Sequence, residues 1–392
     1  MLQIKIGNKI FSDRMILFIL LVIAYSFIGN ANEAVGDGIF SVSSLSKYGI
    51  LLLSVLSEII YFYRSKASVN KVYLKREFKN FLWYFIILIA LTIVMVVISM
   101  RFSGRSIQTF IFVFLPMLYA FLVINTWTLE QIDICLKIGF IISFIGYILS
   151  THLSITYILH ALNTINYEDT NSSLLESSTF ALLALGFSGY LCYFNKGWGW
   201  KLFSVLFVIM TFKRQITLTA IVLLVLGLFK VRNKKLNTMF TLGLTILLVV
   251  FAFYYYHAIQ PNNILDYSQK LGVDLREFST NRTDRLNWLE NSTYQSYGFG
   301  SSIDYMYKEF GGFALEMDVV QLFVELGPLA VISFVVSYLR FSRENAYVFS
   351  FMYLILINSI LSSGMASTFA WIIILIGMSA ILKKSQMMED NL

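Results

Sequence analysis

The chain has 392 residues, of which 57% are hydrophobic and only 14% charged, with a formal net charge of +7. A water-facing domain carries nearer a quarter charged residues, so the composition excludes an ordinary soluble protein and points to a surface that faces lipid. The positive charge lies mostly in short connections between apolar runs. There it reads as membrane topology and contact with anionic lipid, so nucleic acid is not an expected partner and the lipid bilayer is.

The first apolar run, 15–29, follows Lys5, Lys9 and Arg14. No clean small-residue cleavage site follows it, and span after span comes next, so it is read as a transmembrane helix rather than a signal peptide. Further runs of spanning length lie at 43–63, 81–99, 107–125, 133–151, 174–194, 199–212, 215–230, 237–256, 317–339, 346–361 and 365–382. The predicted fold class is therefore all-α. It is a polytopic integral membrane protein with about twelve transmembrane helices, forming a single domain over residues 1–392. Only Pro116, Pro261 and Pro328 interrupt the chain, so long helices are sterically allowed. The runs at 199–212 and 215–230 are short and separated only by Lys213 and Arg214. They read either as two tilted helices meeting at a tight turn or as one broken helix. Cys135 and Cys192 fall within or beside apolar runs and read as small buried hydrophobes.

Basic residues fix the orientation. Segments 5–14, 64–79, 196–201, 230–235, 340–343 and 383–384 hold most of the Lys and Arg, and with twelve spans all six fall on one side. The positive-inside rule makes that side cytoplasmic and puts both termini there. The longest connection on the opposite side, 257–316, is an extracytoplasmic loop between the ninth and tenth spans. A structureless loop of that length is unusual, so it is expected to carry helices of its own. No internal repeat is evident, which argues against an inverted-repeat transporter.

The informative cations are those on the outer side, against the topogenic bias: Arg101, Arg105, Lys213, Arg214, Lys270, Arg276, Arg282, Arg285 and Lys308. Lys213 and Arg214 lie between two apolar runs with no polar loop around them. A cation near hydrocarbon costs a few kcal/mol, so the pair is either a snorkelling interfacial pair or an anion site. Arg282 and Arg285 stand three apart in a segment whose Ser279, Thr280 or Asn281 fits a helix N-cap. They read as a solvated charged face or as a pair of cations directed at a diphosphate. Glu316 and Asp318 enter the next apolar helix at its outer end, as helix N-terminal charge or as a general base. Glu325 lies deeper, as a partner for a basic residue or a hydrogen-bond acceptor. Trp288, Tyr294, Tyr297, Tyr305 and Tyr307 are loop packing or platforms for sugar rings. His152, His160 and His257 read as interfacial or solvent-facing.

The order of these features resembles the bacterial O-antigen polymerase and ligase superfamily. Members have about a dozen helices, a basic motif at an outer mid-chain turn and a large outer loop before the last few helices. The family loop contains Ser/Thr-Gly-Arg followed by an aromatic residue, then Gly-x-Gly, then His-Asn before an apolar helix ending in Glu-x-Gly. Thr280-Asn281-Arg282 with Trp288 matches the first element, Gly298-Phe299-Gly300 the second and Val324-Glu325-Leu326-Gly327 the last. The family's His position falls on Glu316 and its Asn on Met317. Ligases resemble one another in that His, so the departure favours the polymerase branch.

The resemblance implies a glycosyltransferase that joins repeat-unit oligosaccharides on undecaprenyl diphosphate, both donor and acceptor, at the outer face of the bacterial plasma membrane. Arg214 and Arg282 would stabilise the departing diphosphate, with Lys213 and Arg285 as supporting cations. Glu316 would be the catalytic base, with Asp318 in reserve. Arg101, Arg105 and Trp288 complete the expected substrate-binding set. No metal and no cofactor are expected, and no P-loop, HExxH or Cys/His ligand cluster occurs in the sequence. A chain-length regulator is a further partner the resemblance allows. The competing readings are a flippase for the same lipid-linked glycan, a ligase-type glycosyltransferase and a structural assembly partner.

Overall fold

The computed structural model describes residues 3–6, 9–28, 42–65, 71–151, 178–195, 197–229, 235–279, 281–312, 315–362, 364–365 and 367–389. Of the sequence features above, Thr280, His152, His160 and most of segment 230–235 lie outside these. The described chain is helical apart from a short antiparallel hairpin, β1 (Gln3–Ile6) with β2 (Lys9–Ser12). Six helices include stretches long and apolar enough to cross a membrane: α2 (Val42–Ser65), α3 (Lys75–Ser99), α4 (Gly104–Thr126), α5 (Leu129–Ser150), α9 (Thr238–Ala258) and α17 (Thr368–Glu389). Five more are apolar but shorter: α6 (Ser178–Phe194), α7 (Trp198–Met210), α8 (Arg214–Leu226), α15 (Pro328–Ser342) and α16 (Ala346–Leu361). At 1.5 Å per residue, α7 and α8 are each about 20 Å long, short of the ~30 Å hydrocarbon core.

The described residues group into two compact units. The first comprises residues 1–74, 115–228 and 369–392. Its innermost helix is α17, buried on every face from Phe369 to Lys383, as expected for a helix that is apolar all round. Gly186 lets α6 approach closely, because a Cβ there would meet Ile374 of α17 at 2.9 Å. Helices α7 and α8 are two elements joined by a tight turn. The Gly227 end of α8 packs near Cys192, at the C-terminal end of α6, while Met210 at the other end of the pair accepts a hydrogen bond from Tyr147. One end of this unit holds a buried ion pair. Arg14 of α1 (Asp13–Ile23) reaches Glu58 at 3.1 Å, and Glu58 also accepts from Thr126 and Trp127 at 2.6 Å each. Lys383 donates to the carbonyls of Ile124 and Trp127, where a cation suits the C-terminal end of α4.

The second unit comprises residues 75–114 and 229–368. Helix α3 packs along α15 through an aromatic ladder in which Phe81 and Tyr84 meet Phe334, Tyr338 and Phe341. Outward, α3 exposes Leu82, Trp83, Ile86, Ile93 and Val97, a face suited to lipid. Segment 257–316 does contain helices: α10 (Ile264–Leu271), α11 (Leu275–Phe278), α12 (Arg282–Glu290) and α13 (Ser301–Phe310).

One sequence expectation is corrected here. The apolar run 317–339 is not one helix. It is α14 (Asp318–Leu326) followed by α15, broken at Gly327, whose φ of 77° and ψ of −173° belong to a region open essentially to glycine alone. Pro328 then starts α15 in the first-turn position where its missing N–H costs nothing.

Candidate functional site

Three of the residues singled out in the sequence converge in the second unit. Asn281 adopts a left-handed conformation (φ 61°), which asparagine tolerates, and α12 begins at the next residue. Arg282 and Arg285, one turn apart, therefore share a face. Glu316 Oε2 lies 3.4 Å from Arg282 Nε, and Oε1 lies 2.9 Å from Arg285 Nη1. Arg282 also donates from Nη1 to the Ser279 carbonyl at 3.1 Å, which fixes the guanidinium from behind. The arginine side chains are largely buried, at 13% and 21% exposure, whereas Glu316 is 42% exposed. Glu316 itself has φ 53°. For a non-glycine residue that conformation costs about 1–2 kcal/mol, and such strain concentrates at functional sites. Two guanidiniums thus face one carboxylate.

Asp318 sits two residues on but does not join the cluster. Its carboxylate is 3% exposed and accepts from the backbone N–H groups of Gly364 and Met365, both at 2.8 Å, and so ties the start of α14 to the connection before α17. Glu325 is fully buried. Oε2 accepts from the Gly300 N–H at 2.7 Å, and Oε1 accepts from the N–H and hydroxyl of Ser302 and from Gln321. The carboxylate thus caps the N-terminus of α13, where negative charge is favourable. Gly298 and Gly300 have φ of 113° and 82°. A Cβ on either would come within 2.6 Å of Thr92 or Thr109. The Gly298-Phe299-Gly300 turn and Glu325 are therefore one structural device, in which the turn lies close against α3 and α4 and the carboxylate holds it.

Trp288 is 41% exposed on α12, with its ring stacked on Phe310 at 5.9 Å. Arg105 bonds Gln108 and lies 5.8 Å above the Tyr307 ring, while Arg101 is exposed. Tyr297 donates to Asp304 at 2.7 Å, and Lys308 reaches the same oxygen at 2.8 Å. Burial pushes the Asp304 carboxyl up, but these two hydrogen bonds and the Lys308 charge outweigh it and hold the group below its ordinary 3.8. Lys213 and Arg214 belong to the first unit, at the N-cap and first position of α8, half-buried and exposed respectively.

Sequence reasoning did not find the Glu58 cluster or the structural engagement of Asp318. The partners of each are distant in sequence and carry no local signature. No protein-family model matches the chain, and no curated protein or solved structure matches it.

Proposed function

We propose that the chain is a polymerase of lipid-linked oligosaccharide repeat units, carried above all by the convergence of Arg282 and Arg285 on Glu316. In this reading twelve spans cross a bacterial plasma membrane, both termini are cytoplasmic and residues 257–316 face outward. Donor and acceptor are glycans on undecaprenyl diphosphate, and a sugar hydroxyl of the acceptor attacks the anomeric carbon of the donor. The bond from that carbon to the diphosphate oxygen breaks, and its electron pair leaves with undecaprenyl diphosphate. The hydroxyl proton passes to Glu316. No nucleotide is needed, because the diphosphate already activates the donor.

The arginines supply what the leaving group requires: fixed, partly desolvated donors that bind most strongly as negative charge develops on the oxygen. Glu316 occupies the same guanidiniums before substrate arrives. The Glu316 carboxylate is itself 42% exposed, so solvent weakens its hold on the guanidiniums and a diphosphate with more charge displaces it. Displacement frees the carboxylate as a base at the moment when the leaving group is bound. The exposed Trp288 ring offers a surface on which a sugar stacks.

The test is purified full-length protein in liposomes with the lipid-linked repeat unit of the source organism, and gel separation of the products. A ladder of multi-repeat glycans that disappears in Arg282→Ala supports the reading. Movement of labelled lipid across the bilayer without a ladder would replace it with a flippase. A single transfer to a different acceptor would replace it with a ligase.

A further inference from the structure

Helices α3 and α15 leave a shallow groove of about 230 Å³ on their outer side, smaller than the ~300 Å³ of the smallest usual ligand pockets and suited to a single chain. The two helices run antiparallel, since Phe81 meets Tyr338 and Phe341 while Tyr84, further along α3, meets Phe334; of the groove's lining, Asn80 and Arg340 therefore belong to one end and Ile87 and Leu329 to the other. From Leu329 to Arg340 is eleven residues of helix, about 16 Å. The lining is mainly apolar, through Trp83, Ile87, Leu329, Ile332 and Val336; the buried Ser333 turns its hydroxyl back onto the Ala330 carbonyl, Ser337 is also buried, and Asn80 and Arg340 make the Arg340 end polar.

Charge collects at that end. Lys75, Arg76 and Lys79 occupy the first turn or so of α3, all exposed, and Arg340, exposed, lines the groove with Asn80 at the same end. The acids of this region face other cations: Glu77, buried at the start of α3, feels Arg76 and Arg343, and Glu344 is engaged by Lys235 and by Arg343. Lys79 and Arg340 make no ion pair among the described residues. A groove with a mainly apolar lining and a cationic end, opening on the outer side of two apolar helices, matches a molecule with one anionic head and a hydrocarbon tail.

We infer that this groove is a binding site for an anionic glycerophospholipid, its head group on Arg340 and Asn80 and one acyl chain along Ile332 and Val336. The occupant is a bilayer phospholipid rather than the polyprenyl substrate of the proposed reaction. The groove's charged mouth is at the Arg340 end of α15, whereas the Arg282–Glu316 cluster precedes the opposite end of the same α14–α15 segment. The inference does not depend on the proposed reaction.

The experiment uses the full-length protein in detergent, titrated with phosphatidylglycerol or with phosphatidylcholine of the same acyl chains, and reads bound lipid by native mass spectrometry. Phosphatidylglycerol should bind about fivefold more tightly, the effect of one cation near the head group. Arg340→Gln should bring the two lipids to parity, and Ile332→Trp, a surface change that fills the groove, should weaken both. Equal binding of the two head groups by the wild type, or unchanged binding in both variants, overturns the site. Displacement of phosphatidylglycerol by undecaprenyl phosphate at equal concentration, lost in Arg340→Gln, overturns the choice of occupant.

Discussion

Arg285 Nη1 lies 2.9 Å from Glu316 Oε1, and the other oxygen of the same carboxylate reaches Arg282. The protein thus holds an anion of its own in the cationic fork assigned to the substrate diphosphate. An occupied fork is preorganised: its donors are already aimed, and an incoming anion finds them at no further cost in side-chain ordering.

Replacement of either arginine by alanine should reduce polymer formation about 100-fold, the usual effect of removing one preorganised donor from a developing anion. Arg282→Lys should recover only part of it, because an ammonium lacks the planar fork. Initial rates on the lipid-linked repeat unit measure both. Wild-type rates in Arg282→Ala would remove the arginines from the reaction.

Glu316→Gln should separate two effects. Polymer formation falls about 100-fold with the base gone, while inorganic pyrophosphate binds about fivefold more tightly because the competing carboxylate is neutral. Calorimetric titration of the solubilised protein reads the second. Unchanged pyrophosphate affinity would sink the displacement step even if the rate falls.

Glu325→Ala should destabilise rather than act on chemistry. It leaves the Gly300 and Ser302 N–H groups and the Ser302 hydroxyl without their acceptor in a buried position, a loss of about 3 kcal/mol or more. Thermal unfolding followed by tryptophan fluorescence should show a clear drop in Tm, smaller for Glu325→Gln. An unchanged Tm with activity lost would make Glu325 part of the reaction.

The Asp304 carboxyl is held below its ordinary 3.8 in the folded protein. A group with a depressed folded pKa contributes stability above its unfolded pKa, and that contribution fades as pH falls through the folded value. Asp304→Asn should therefore lower Tm at pH 7 and approach the wild type as pH is taken below about 3.8. A Tm difference that stays constant across this range would show that the Tyr297 and Lys308 contacts act without regard to charge.

The helical character of the chain and the positions of its apolar runs were legible because hydrophobic length is a local property. So was the pairing of Arg282 with Arg285, a matter of helical spacing. The break at Gly327 escaped the same reasoning because length and apolarity alone define the run 317–339, although Gly327-Pro328 marks a stop locally. The role of Asp318 was out of reach for another reason: its partners, Gly364 and Met365, are backbone groups far along the chain, to which any sequence would contribute the same N–H. The Gly-x-Gly and Glu-x-Gly elements were visible as separate marks. That they are the two halves of one contact emerges only when α13 and α14 are brought together.

The anchoring of Asp318 also limits what Glu316 can do. Leu315 is buried on one side of it, and on the other Asp318 is fastened by two hydrogen bonds to the connection before α17. On the proposed reaction, when a diphosphate displaces the Glu316 carboxylate, the backbone beside Asp318 is held and does not follow. The side chain swings on a short leash, so its oxygens sweep a small arc fixed by rotation about its own bonds. On that reaction an acceptor hydroxyl would be deprotonated only if it enters that arc. On the proposed reaction, the choice of which sugar hydroxyl is linked would then be set by the length of the leash as well as by contacts with the sugar.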